Sequence, residues 1–330
     1  MRKILSFILV LVLALAVMIP AMAEATLPKV AVVMSGSLGD RSFYDSSNAG
    51  IQALIAKYPG LQGSVIECKN DASMFTTNLI SAAEQNDIVI AVGWEFWDAL
   101  TEYVPELPDT KFIFIDNGLD GVGDNLLSIT YAQNQGSFLV GYIAGKLTKT
   151  NKVGSIGGVE MDTIDDFIVG YEAGAKYANP DVECIHQYAG TFDDPAKGKE
   201  NALAIYDLGA DIIFQIASKT GEGVFEAASE RGLLAIGVDS DQKFINPDVI
   251  ACSMIKEVGL SIESAVSSFI DEGKFEGGTI WCADMETGFI GVAYGDDTMP
   301  QQVSDELKAE VEAIKQDIIS GKIEVPTAFQ

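Results

Sequence analysis

KVAVVMSGSLGDRSFYDSS, residues 29–47, decides the fold. KVAVVM is a β-branched apolar run, the composition of a strand covered on both faces. SGSLGD turns the chain. From Tyr44 onward Ile51, Leu54, Ile55 and Tyr58 recur at helical spacing until Pro59-Gly60 stops them. The stretch is one strand–turn–helix unit. Its turn is glycine-rich yet carries no phosphate signature. It is not G-x-G-x-x-G, and no GK[ST] sequence occurs in the chain.

The same unit recurs along the chain. Strand signals lie at 64–68, 87–93, 111–117 and 125–130, with helices over 74–84 and 96–104. An apolar helix at 135–147 then restarts the rhythm. Strands follow at 152–158, 182–188, 211–217, 233–239, 249–255 and 280–284, with helices over 166–178, 195–208, 223–231, 256–272 and 304–320. Alternation of this kind predicts parallel sheets with helices on both faces, and two successive sets predict two doubly wound α/β lobes. Ligands of such sheets bind at the carboxyl ends of the strands. The polar residues there are the 35–43 turn, Gly93-Trp94, Asp116, Gly157-Gly158, the 218–221 turn and Asp239.

Composition narrows the function. The chain has 21 Lys and Arg against 48 Asp and Glu, a formal charge of −27. That field repels nucleic acid and anionic lipid. Arg2 and Lys3, an apolar run over 4–19 and Ala21-Met22-Ala23 read as a cleavable secretory signal peptide over 1–23. No cysteine stands near the cleavage site, so a periplasmic protein without a lipid anchor is expected. Cys68, Cys184, Cys252 and Cys282 form no CxxC pair or zinc spacing, and the first three read as small strand thiols. His186 is the sole histidine, so no metal site, cofactor or His-based triad is expected.

A resemblance then becomes specific. D-R-S-F (40–43), I-D-N (115–117), Q-G-S-F-L-V-G-Y-I-A-G (135–145), Y-E-A-G-A-K-Y-A-N-P-D (171–181), G-T-F-D-D-P-A-K-G-K (190–199), D-I-I-F-Q-I-A (211–217), I-G-V-D-S-D-Q (236–242) and S-M-I-K (253–256) occur in that order. Together they resemble the basic membrane protein family, substrate-binding components of ABC importers whose best understood members are purine nucleoside receptors. The resemblance implies the type I periplasmic binding protein fold, two Rossmann-like lobes joined by three crossings near 129–132, 243–251 and 281–286. It places 27–130 and 252–280 in the first lobe, and 131–250 and 281–330 in the second. It implies a monomer that performs no chemistry, hands a small ligand to permease and ATPase subunits, and needs no cofactor.

The resemblance also assigns residues. Phe43 matches an aromatic stacking on one face of a base, and Phe214 matches its partner from the other lobe. Asp239 matches a carboxylate that takes ribose hydroxyls, and Lys256 a lysine beside the sugar. Asp40, Ser42 and Asp116 complete a polar rim, with Trp94 and the Gly221 turn as walls. Three positions depart from the family pattern. Met34 stands where purine-binding members carry an Asp that reads the base edge. Tyr44 replaces an Asn, and A-S-K-T-G replaces A-G-G-T-G, putting Lys219 near the mouth. These departures predict a ring with altered edge chemistry: a nucleoside, a nucleobase or a larger flat heterocycle. Two other readings of the same residues are a ligand sensor without transport and an exported hydrolase working through carboxylates such as Asp116 and Asp239.

Overall fold

The computed structural model describes residues 27–329. The signal-peptide reading of 1–23 lies outside them. In chain order the strands are β1 (Lys29–Met34), β2 (Gln62–Glu67), β3 (Ile88–Val92), β4 (Lys111–Ile115), β5 (Leu126–Tyr131), β6 (Lys152–Gly157), β7 (Glu183–Tyr188), β8 (Ile212–Ile216), β9 (Leu234–Asp239), β10 (Ile250–Lys256), β11 (Thr279–Ala283) and β12 (Ile290–Ala293). The α-helices are α1 (Phe43–Lys57), α2 (Ala72–Ala83), α3 (Trp97–Tyr103), α4 (Gln133–Leu147), α5 (Asp162–Ala178), α6 (Pro195–Asp207), α7 (Glu222–Arg231), α8 (Val258–Glu272) and α9 (Asp305–Ile319).

Two six-stranded sheets result. The first has the order β11-β5-β4-β3-β1-β2 and the second β12-β10-β9-β8-β6-β7. All observed pairings are parallel except β10 with β12. Central strands such as β3 and β8 are buried at every residue, whereas edge strand β7 is fully buried at none. That contrast is what helices on both faces of a parallel sheet produce. β12 is a four-residue strand the sequence pattern did not flag.

The chain crosses between the sheets three times. It leaves the first after Tyr131 and enters α4, which packs against α5, β10 and β12. It returns after Lys256. It crosses finally between β11 and β12, from 283 to 290. The second crossing corrects the expectation of 243–251. Residues 252–256 stay in the second sheet, because β10 pairs with β9 on one side and β12 on the other. The expected breaks at 130/131 and 280/281 likewise fall inside β5 and β11, so those strands carry the first sheet on to Tyr131 and Ala283. α8 does lie on the first sheet's side. Gly50 of α1 and Gly259 of α8 touch so closely that a methyl on Gly50 would sit 2.4 Å from the Gly259 carbonyl oxygen.

The seam of α4 and α5 is tighter still. A methyl on Gly174 would lie 1.9 Å from the Phe138 carbonyl oxygen, and one on Gly141 2.0 Å from that of Tyr171. Glycine on each helix lets the two backbones meet directly. Through that contact α5 is fixed with its first turns over the carboxyl end of the second sheet.

Candidate ligand-binding site

Between the lobes lies a cleft with a cavity volume of about 80 Å³, open to solvent at its mouth. Both sheets point their strand carboxyl ends at it, as the strand-end rule predicts. The turn after β1 brings in Phe43. The β3 end brings Gly93, Trp94 and Glu95, and the β4 end brings Asp116 and Asn117. From the second lobe come Ile216 and Ser218 after β8, Val238 and Asp239 at the end of β9, and Lys256 at the end of β10. Asp116, Ser218 and Asp239 have φ of 73°, 49° and 64°. Left-handed backbone at non-glycine residues costs energy, and it persists here at three strand ends facing one cleft.

The charged centre is compact. Lys256 is 2% exposed and its Nζ donates to Asp116 Oδ1 at 2.7 Å. The same ammonium lies 5.3 Å from the Phe43 ring, 5.0 Å from Phe167 and 5.1 Å from Tyr131. Ring faces are electron-rich, so an ammonium among three of them is favourably placed. Phe43 belongs to the first lobe and Phe167, on α5, to the second. The two rings thus flank one cation from opposite sides of the cleft. Burial pushes the Asp239 carboxyl up to about 6, against the pull of Lys256 and the Ser42 hydroxyl; Asp116 and Asp40 add to the rise.

The 35–43 turn does more than supply Phe43. The Asp40 carboxylate accepts from the backbone N–H groups of Ser42, Tyr44 and Asp45 at 3.1, 3.0 and 3.0 Å, which braces the start of α1. It also accepts from the Ser218 hydroxyl of the other lobe at 2.8 Å. Ser42 donates its hydroxyl to Asp239, again across the cleft. Gln242 donates to the Arg41 carbonyl at 3.1 Å, and the Gln242 side chain is itself held by Gln215 at 2.7 Å. The turn is thus a bolt seated in the second lobe.

Of the expected residues, Phe43, Tyr44, Trp94, Asp116, Asp239 and Lys256 line the cleft. Asp40 and Ser42 lie beside it, with their side chains engaged in the lobe-to-lobe bonds. Lys219 flanks a smaller adjoining recess and pairs with Asp193 at 2.7 Å. Gly221 is buried against the Gln215 side chain, behind the wall. Met34 is fully buried in the core of the first lobe. Phe214 is fully buried too, with its ring 5.3 Å from Tyr171 and 6.4 Å from Phe167. Alternation along β8 puts Phe214 and Ile216 on one face of the sheet, and the final residue, Ile216, reaches the cleft. Phe167 covers Phe214 and presents an aromatic ring in its place.

Sequence reasoning missed Phe167, Phe192, Met161 and Glu95, all of which line the cleft. Phe192 lies in the G-T-F motif and Glu95 directly after Trp94, so each stood one step from a recognised signal. No group of three or more His, Cys, Asp or Glu is placed to hold a metal among the described residues. Nor is any described helix long and apolar enough to cross a membrane. All four cysteines are free. His186 lies on β7 with its ring half-exposed, 3.4 Å from Glu172.

Comparison with known proteins agrees with this architecture. Residues 27–328 match the Bmp family, described as ABC transporter substrate-binding protein PnrA-like. The chain is 36% identical to the ABC transporter nucleoside-binding protein BmpA of Lactococcus lactis, over 91% of this chain and 89% of that one. It is 33% identical to basic membrane protein A2 of Borrelia garinii, over 92% and 89%. An ABC transporter solute-binding protein from Aeropyrum pernix superposes with a TM-score of 0.79 at 25% identity, covering 90% of this chain and 93% of that one. A second, from Conexibacter woesei, superposes at 0.73 with 24% identity over 92% and 99%. The chain belongs to the Bmp family of PnrA-like ABC transporter substrate-binding proteins.

Proposed function

We propose that this protein captures a nucleoside between its lobes outside the cytoplasm, as a monomer without a lipid anchor, and delivers it unaltered to ABC permease and ATPase subunits. One observation carries the reading. A ring from each lobe, Phe43 and Phe167, flanks a single cleft whose charged end holds Asp239, Asp116 and Lys256. A flat base between two rings buries both its faces, and a carboxylate accepts both hydroxyls of a vicinal diol. The nucleoside named for the Lactococcus relative points the same way. Lobe closure is then a population shift, driven by contacts the ligand makes only when both lobes reach it.

The test is mass spectrometry of small molecules released from protein purified without refolding, followed by calorimetric titration of the nucleosides found. A nucleoside should be recovered intact. Phe43→Ala should weaken its binding by about 1–3 kcal/mol, the scale of one lost stacking face. Recovery of a sugar or amino acid with no flat ring refutes the reading.

A further inference from the structure

Glu95 is the one acidic side chain of the cleft lining outside the Asp116–Asp239–Lys256 cluster. Its Oε2 is buried and receives a hydrogen bond from no described group. A buried acceptor left without a donor is costly, so a persistent one calls for a reason. Ser35 Oγ and Tyr44 OH are bonded to each other at 2.9 Å, and the Ser35 hydroxyl stands near enough to the Glu95 carboxyl to favour its ionised form without a bond to Oε2. Gly93 keeps the space open. A methyl there would lie 2.5 Å from Glu95 Oε2 and 2.2 Å from Ser35 Oγ. Phe43, Tyr44, Trp94 and Asn117 of the same lobe line the cleft with Glu95.

We infer that Glu95 is the specificity-determining residue of the cleft, accepting one N–H from the edge of the bound heterocycle. The inference rests on the nucleoside reading above and adds which atom of the base is read. The buried Oε2 is placed to accept from a donor such as the N1–H of a 6-oxopurine. A site with a buried acceptor rejects a ligand that lacks the matching donor more strongly than an apolar wall does. Burial also raises the Glu95 carboxyl above its ordinary range. An arriving N–H favours the ionised form and opposes that rise.

The experiment is calorimetric titration with inosine and with 1-methylinosine, in which the N1–H is replaced by a methyl group. Wild type should prefer inosine by about tenfold or more, the cost of stranding a buried acceptor. Glu95→Met keeps the length of the side chain and removes the acceptor, so the preference should vanish. Glu95→Gln retains an acceptor oxygen and should keep most of it. Thermal melts establish that each variant is folded. If wild type binds both nucleosides equally, or if Glu95→Met weakens both to the same degree, the role of Glu95 is refuted while the nucleoside reading stands. If wild type binds no nucleoside at all, the nucleoside reading fails first and this inference falls with it.

Discussion

Titrating Asp239 should move the lobes. With the lobes together, its carboxyl is buried and titrates at about 6 rather than 3.8. When the lobes part, water reaches it and its pKa returns toward the ordinary value. The closed form therefore holds the proton more tightly. Its advantage is complete below about 3.8 and is lost as the pH rises through about 6. A shift of that size corresponds to about 3 kcal/mol, or a ~100-fold change in the closure constant between pH 4 and 7. Lys256 and the Ser42 hydroxyl already act against the shift, while Asp116 and Asp40 reinforce it. Asp40 is also raised by its burial, so it adds a smaller slope of the same sign. A fluorescent pair at the exposed positions 102 and 229, one on each lobe, reports closure once exposed Cys282 is replaced by serine. Ligand-free wild type should close as the pH falls from 7 to 4. Asp239→Asn has no charge to bury, so it should stay closed at neutral pH with most of the slope gone. A slope of opposite sign, or an unchanged slope in Asp239→Asn, would refute the reasoning.

Two further predictions concern packing. Phe214→Ala should cost about 3–5 kcal/mol of stability, because it empties a fully buried aromatic site. The milder Phe214→Leu should leave nucleoside affinity within about twofold, since Phe167 supplies the ring that lines the cleft. A large affinity loss with an unchanged melting temperature would restore Phe214 to the binding surface. Gly174→Ala should cost about 1–3 kcal/mol, because its methyl meets the Phe138 carbonyl at 1.9 Å. An unchanged melting temperature would show that the α4–α5 seam is loose.

Most of the architecture was legible because apolar strand runs are punctuated by glycine, proline and aspartate at each end. β12 was not. It is four residues long, has a glycine within it, and pairs along one edge only, with β10. Nor could local pattern assign β10 to a sheet. Its apolar run looks like any central strand, and only its pairing with β9 and β12 decides. In the cleft, the strand-end rule found Phe43, Trp94, Asp116 and Asp239, whose side chains follow directly from strand termini. At β8 the rule found Ser218, while Phe214 was named by the resemblance; Phe214 and Ile216 share a face there and only the terminal one emerges. The rule was silent on Phe167, which projects from a helix. That ring reaches the cleft through the glycine seam of α4 and α5, a contact between distant segments that no single stretch announces.

The three crossings bear on how the molecule is made. β11 joins β5 in the first sheet across some 150 residues of intervening chain, and β12 joins the second sheet only after that. As the chain emerges amino end first, neither sheet can be finished before its last quarter has appeared. Early folding of one lobe alone is therefore penalised by long-range pairing that is not yet available. An interval in which the polypeptide stays pliable suits the proposed work outside the cytoplasm, which would require threading through a narrow translocation pore before the chain takes shape. A construction with one lobe in a continuous segment would fold sooner and be harder to thread.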